Sequence, residues 1–327
     1  MGGYMESHLY KELTQSELEQ VIMTALSDEI RHSRLLTGGL FNTTYLVETA
    51  AQGKVVLRVG PINPHLLLPF ERNLMEAECH IYDLLRKEGI PASEVLAVDC
   101  SKRVIPRDYM IVRYIPSSAM SETSLEEADR ARICHDIGAA AAKMHQITAK
   151  RFGRSADVKA GRGFESWSAY LLDELKQWES VARPVQLLPE DVYDRIFLLV
   201  QKAAPILDQI TEPHLVHTDF WTGNVLISTG NGQPEFAAII DADKVVWGDP
   251  ELEFSNIGWA LRAPTFWEGY GTVLSQDPEA QIRRTVYKMI WNLLDYYIFM
   301  VELTAPEDAE QIKAVALEQM ELLENMV

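Results

Sequence analysis

The chain has 327 residues, 48 acidic and 30 basic, for a formal net charge of −18. That balance excludes a nucleic-acid or anionic-membrane partner, because their phosphates would be repelled. No apolar run approaches the roughly 20 residues that span a bilayer. The first residues hold no signal-peptide stretch, and Cys79, Cys100 and Cys134 are too scattered for a disulfide framework or a zinc site, so a cytoplasmic location is expected.

In chain order, Thr37-Gly38-Gly39-Leu40-Phe41-Asn42 comes first. Two adjacent glycines let backbone amides approach an anion, and Asn42 to Thr44 add side-chain donors; an ordinary hairpin bend is the alternative. Residues 45–49 and 55–59 read as two strands joined by a Gln-Gly turn. Residues 70–87 read as a helix with Leu74, Ile81, Leu84 and Leu85 on its apolar stripe. Glu78 lies four residues after Leu74 and three before Ile81, so it points inward, whereas Glu76 turns to another face. A carboxylate on a buried stripe needs a partner, and Arg58 is the available cation. Residues 95–98 and 109–114 read as strands; residues 128–145, 167–178, 193–210, 287–303 and 307–326 read as helices.

The segments LVHTDFWTGNVLIS and AAIIDADKVVWGDPELEF, residues 215–228 and 237–254, carry the chemistry. Phosphoryl transfer from Mg-ATP uses an Asp to orient the attacking hydroxyl and an Asn five residues later to hold a metal. A second Asp, after the next strand, bridges metal and phosphates. Here the order is Asp219, Asn224, Asp241, with a strand at residues 225–228, an Asn231-Gly232 turn and a strand at residues 236–240 between them. The spacing predicts a small-molecule kinase.

His217-Thr218-Asp219, Asn224, Ile240-Asp241-Ala242-Asp243 and Gly248-Asp249-Pro250 resemble the motifs of the aminoglycoside phosphotransferase and choline kinase-like superfamily. Thr218 stands where the family usually has Gly, and Ala242 where it usually has an aromatic residue. The resemblance implies an α+β, bilobal protein kinase-like fold, with a small antiparallel-sheet N-lobe over residues 1–116 and a larger, mainly helical C-lobe over residues 117–327. It implies a nucleotide loop at Gly38, Gly39 and Asn42, and a phosphate-binding cation at Arg58 paired with Glu78. It also implies an adenine-binding hinge at Arg113, Tyr114 and Ile115. ATP, with GTP as the alternative donor, and Mg²⁺ are the implied cofactors. Asp219, Asn224 and Asp241 would be catalytic, with Asn224, Asp241 and Asp243 on the metal. His145 and Asp249 would be structural, Asp249 bracing the catalytic loop.

Three substrate readings remain at this point. The favoured one is an antibiotic kinase, as for an aminoglycoside; the alternative is a metabolic kinase for choline, homoserine, an amino sugar or methylthioribose. The third, from another class, is an inactive kinase-like binding protein, for which Arg58 in place of the usual Lys is the motive. The acid balance favours a cationic small molecule, so Asp219, Trp221, Glu251, Glu268 and Asp295 are the acceptor-site candidates. Trp247, Trp259, Trp267, Trp291, Tyr296 and Tyr297 could line the pocket. A monomer or homodimer is expected.

Overall fold

The computed structural model describes residues 7–36, 41–230, 232–255 and 263–327. Gly38, Gly39, Asn231 and Trp259 lie outside them. Thr14 opens helix α1 (Gln15–Leu26) with a capping box: its hydroxyl accepts from the Glu17 amide at 3.2 Å, and Glu17 Oε2 accepts from the Thr14 amide at 2.8 Å. Strands β1 (Ile30–Leu36), β2 (Thr43–Thr49) and β3 (Gly53–Val59) follow, then helix α2 (Leu74–Lys87) and strands β4 (Val95–Asp99) and β5 (Tyr109–Arg113). They form one antiparallel sheet in the order β1-β2-β3-β5-β4. Alternation along β3 sends Val55, Leu57 and Val59 to the face covered by α1, where Leu18, Val21 and Ile22 pack on them. Arg58 is therefore on the opposite face, towards α2.

The rest of the chain is mainly helical. Strand β6 (Ser118–Ala119) and helix α3 (Glu127–Met144) lead to β7 (Gly153–Arg154), α4 (Ser155–Lys159), α5 (Trp167–Ala182) and α6 (Glu190–Leu207). Strands β8 (His214–Val216), β9 (Val225–Ser228), β10 (Glu235–Ile239) and β11 (Val246–Gly248) build two small sheets, β10-β9-β6 and β7-β11-β8. Helices α7 (Pro264–Tyr270), α8 (Pro278–Tyr297) and α9 (Pro306–Glu324) close the chain. This is the α+β arrangement expected. Helix α8 starts nine residues before the expected residue 287, at Pro278 in its first turn, where the fixed φ of proline suits a helix start. Its continuation to residue 302 is a π-helical turn, Ile298–Glu302.

Small residues in α3 have a positioning role. An ideal Cβ on Gly138 would lie 2.0 Å from Phe266 O, and one on Gly269 would lie 1.9 Å from His135 O. The two backbones can thus touch, and α7 delivers Tyr270 to His145 at the end of α3. Among the described residues no helix is long and apolar enough to cross a membrane.

Candidate active site

Strand β8 ends at Val216, and the chain then turns through His217, Thr218 and Asp219 around one buried carboxylate. Glu253 Oε2 accepts from the His217 amide at 2.7 Å, and its Oε1 accepts from the Thr218 amide at 3.0 Å. Glu253 in turn lies 3.4 Å from His145 Nε2, whose other ring nitrogen is 2.7 Å from the Tyr270 hydroxyl. The His217–Asp219 loop therefore hangs from a chain of contacts that begins at the glycine-mediated α3–α7 packing. Glu253 carries the bracing expected of Asp249. Asp249 instead caps its own turn through the Glu251 amide and accepts from Arg283 Nε at 3.0 Å and the Tyr287 hydroxyl at 2.7 Å.

His217 joins the two motif-bearing segments. Its Nδ1 accepts from the Asp219 amide at 3.3 Å, which leaves Nε2 to donate to Ile240 O at 3.1 Å. Burial lowers its pKa, so the ring is the neutral form this pattern needs. The Ile240 amide donates back to Asn224 O at 2.9 Å. Asp241 follows immediately, at a left-handed φ of 62°.

Thr218 is also left-handed, with φ 66°, which accounts for glycine being usual at this position in the resembling family. The threonine is held by its hydroxyl, which donates to Lys244 O at 2.9 Å. Thr218→Gly is expected to shift the unfolding free energy by less than about 1 kcal/mol, relief of backbone strain (~1–2 kcal/mol) offsetting the lost hydrogen bond (~1 kcal/mol). Thr218→Val keeps the strain without the bond and is expected to cost about 1–2 kcal/mol in denaturant unfolding. Equal effects of the two changes would contradict the assignment.

Asp219, Asn224 and Asp241 converge with Arg58. Asn224 Nδ2 donates to Asp219 O at 2.8 Å and to Asp219 Oδ2 at 3.0 Å, which turns its amide oxygen away from Asp219. Arg58 forks between Glu78 through Nη1 and Asp241 through Nη2, and Asp243 Oδ2 lies 3.8 Å from Nη2. The Tyr82 hydroxyl donates to Glu78 Oε1 at 2.5 Å and accepts from the Asp241 amide at 2.9 Å, locking both partners. Glu76 is elsewhere, exposed and 3.3 Å from Lys159. A fork can grip two carboxylates at once where an ammonium offers a point charge, so Arg58 fits the cluster. Burial, then Asp241 and Glu78, push the Asp243 carboxyl well up. Asp219 rises to about 7, chiefly by burial, with Asp241 and Asp295 adding to it and Lys244 opposing.

On the other side of Asp219 is a cavity of about 220 Å³ whose wall includes Phe70, Arg154, Trp221, Lys244, Trp291 and Asp295. Asp295 is raised to about 6 by burial. Lys244 carries no motif signal in the sequence; its neighbours Glu71, Asp219, Asp243 and Asp295 outweigh burial and keep it charged. Of the four acidic acceptor candidates, Asp219 and Asp295 line this cavity. Glu251 is taken by Arg284 Nη1 at 2.6 Å, and Glu268 is exposed on α7; neither lines it. Of the aromatic candidates Trp221 and Trp291 line it, whereas Trp247 is core and Trp267 packs on Phe254. Tyr296 and Tyr297 bond to Leu187 O and Leu66 O. The amides of Arg113 and Tyr114 donate to Glu94 O and Lys54 O, and Ile115 O accepts from Ser117 Oγ. Asn42 is buried against a different cavity, of about 240 Å³, beside Lys11 and Arg107.

The sequence profile of the phosphotransferase enzyme family matches residues 32–283. The chain belongs to that family. This phosphotransferase is 24% identical over 291 residues to a probable ketoamine kinase of Vibrio parahaemolyticus, covering 83% of this chain and 90% of that protein. It is 26% identical over 172 residues to a chloroplastic protein-ribulosamine 3-kinase of Arabidopsis thaliana, covering 50% of this chain and 51% of that one. Among solved structures, a Thermobifida fusca protein assigned as a fructosamine-3-kinase superposes with a TM-score of 0.68 at 13% identity, over 94% of this chain and 98% of that chain. The aminoglycoside phosphotransferase APH(4)-Ia, solved with ADP and hygromycin B, gives 0.64 at 17% identity, over 95% and 98%. The fold is the kinase-like one that the motifs implied, and the chain is a small-molecule phosphotransferase of that family.

One buried pair in this phosphotransferase gives a pH-dependent stability. Glu71 and Glu302 are both buried, and both accept from the Leu68 amide, at 3.1 and 3.3 Å. Burial first, then Glu71, push Glu302 up to about 10. A folded-state pKa above the unfolded value means stability that is full below about 4.5 and is lost as pH rises towards about 10. Glu302→Gln removes that loss, so its advantage in melting temperature over wild type should widen from about pH 5 to about pH 9. A gap independent of pH would contradict the assignment.

Proposed function

We propose that this phosphotransferase moves the γ-phosphate of ATP, with GTP as the alternative donor, onto a hydroxyl of a sugar-derived ketoamine. The observation that carries the reading is the position of Asp219, between the Arg58–Asp241 cluster and a cavity of about 220 Å³. The curated relatives support the acceptor class, since they carry the names of ketoamine and ribulosamine kinases. Drug-sized ligands usually occupy about 300–1,000 Å³, so the smaller cavity suits a sugar adduct better than an aminoglycoside. The solved aminoglycoside kinases share the fold alone, and an antibiotic acceptor is set aside in favour of this one.

In this reading, residues 1–116 bind the nucleotide with the loop at Gly38 and Gly39, and residues 117–327 bind the acceptor. With the Arg113 and Tyr114 amides engaged in the chain, Ile115 is the hinge position left to meet an adenine edge. Arg58 takes the phosphates. Asn224, Asp241 and Asp243 offer three hard oxygen donors, a set that fits Mg²⁺. When bound there, the metal would neutralise charge on the phosphates. Asp219 accepts the hydrogen bond of the acceptor hydroxyl; Asn224 fixes one of its oxygens and leaves the other for that contact. As the hydroxyl oxygen bonds to phosphorus, the bond to the leaving ADP oxygen breaks and the proton passes to Asp219. A carboxyl near 7 is suited to that transfer at neutral pH.

The test is coupled ADP release across fructosyl-amines, ribulosyl-amines and aminoglycosides. Ketoamines should exceed aminoglycosides in kcat/KM by at least roughly 100-fold. A preference for any aminoglycoside would overturn the acceptor assignment.

A further inference from the structure

The charged side chains around the acceptor cavity are not alike in what they already hold. The Arg154 guanidinium lies 3.7 Å over the Phe70 ring, is ion-paired with Glu174, and donates to Lys244 O at 2.8 Å. Asp219 is fixed by Asn224. Lys244 differs. An ammonium has three donors, yet the carboxylate oxygen within its reach, Glu71 Oε1, is 3.7 Å away, beyond hydrogen-bond distance. The Lys244 side chain retains 26% exposure, and it opens onto the cavity that Asp295 also lines. One cavity thus offers a cation with unfilled donor positions and a carboxylate.

An acceptor carrying only an amine would satisfy Asp295 but bring a second positive charge towards Lys244. A zwitterionic acceptor satisfies both. Resting on the ketoamine reading, we propose that the acceptor is a ketoamine formed on a free amino acid: Lys244 takes its carboxylate while Asp295 takes its amine. Lys244 is then a specificity-determining residue, reading a group remote from the hydroxyl that reacts.

The experiment compares two adducts of nearly equal size, N-(1-deoxyfructosyl)glycine and N-(1-deoxyfructosyl)ethylamine, which differ in the carboxylate. Wild type should favour the glycine adduct by about 10- to 100-fold in kcat/KM, mainly through KM, as expected for one charge-assisted contact. In Lys244→Met that ratio should fall to near one, and Lys244→Arg should retain most of it. The proposal is overturned if wild type shows no preference. It is also overturned if Lys244→Met slows both adducts equally through kcat with the ratio preserved, which would place the ammonium on the transferred phosphoryl group instead. If wild type releases ADP with neither adduct, the ketoamine reading itself fails, and this proposal with it.

Discussion

Replacing Asp219 by Asn will lower kcat by about three orders of magnitude while the affinity for Mg-ATP stays within about threefold of wild type. Asp219 lies between the phosphate-side cluster and the acceptor cavity, and its second oxygen is held by Asn224 Nδ2 at 3.0 Å. The amide variant preserves shape and can still meet a hydroxyl, but it cannot take the proton. Removing the carboxylate leaves Arg58, Asp241 and Asn224 in place, so nucleotide binding should persist. The pH profile supplies a second readout. With the carboxyl raised to about 7, the ionised form needed to accept the proton is depleted as pH falls. Wild-type kcat/KM for the acceptor should therefore drop about tenfold per unit below about pH 7, and the Asp219→Asn profile should be flat there. A variant with full turnover, or a wild-type profile flat to about pH 5, would contradict the role.

Glu174→Ala is expected to give the largest loss of stability, about 3–5 kcal/mol by denaturant unfolding. Arg154 and Glu174 are both buried, and the guanidinium is gripped through Nε at 3.1 Å and through Nη2. Truncating the carboxylate leaves a positive charge in a site from which water is largely excluded, and that penalty exceeds the value of the pair itself. The effect reaches the active site, because Arg154 Nη1 and the Thr218 hydroxyl both donate to Lys244 O. Turnover should fall in the folded variant as well. A cost below about 1 kcal/mol would mean that the pair is solvated.

The parts of this architecture legible in the sequence were those with local spacing. The Asp219–Asn224 interval, the strand before Asp241 and the inward position of Glu78 follow from short-range periodicity, and the structure brings Arg58 to Glu78 and Asp241. Helix α1 also carries a local signal, the Thr14-Gln15-Ser16-Glu17 capping box ahead of Leu18, Val21 and Ile22. What spacing could not reveal were contacts between residues far apart in the chain. Glu253 grips amides 36 and 35 residues away, and its sequence looks like any acidic helix start. Glu251, two residues before it, looks equally suited to an acceptor amine until Arg284 is seen beside it. Lys244 carries no local signal because its surroundings are assembled from α8, the turn before α2 and the His217–Asp219 loop. Thr218 reads as a departure from a motif until its φ shows why glycine is usual and what holds the threonine there.

The most direct measurement is a crystal structure of the protein with Mg²⁺, a non-hydrolysable ATP analogue and a fructosyl-amine. The metal should lie between the Asn224 amide oxygen and Asp241, with the phosphates against Arg58. One sugar hydroxyl should sit about 2.6–3.2 Å from Asp219, in line with the γ-phosphorus. A nucleotide bound away from Arg58 and Asp241, or an acceptor with no hydroxyl near Asp219, would contradict the account.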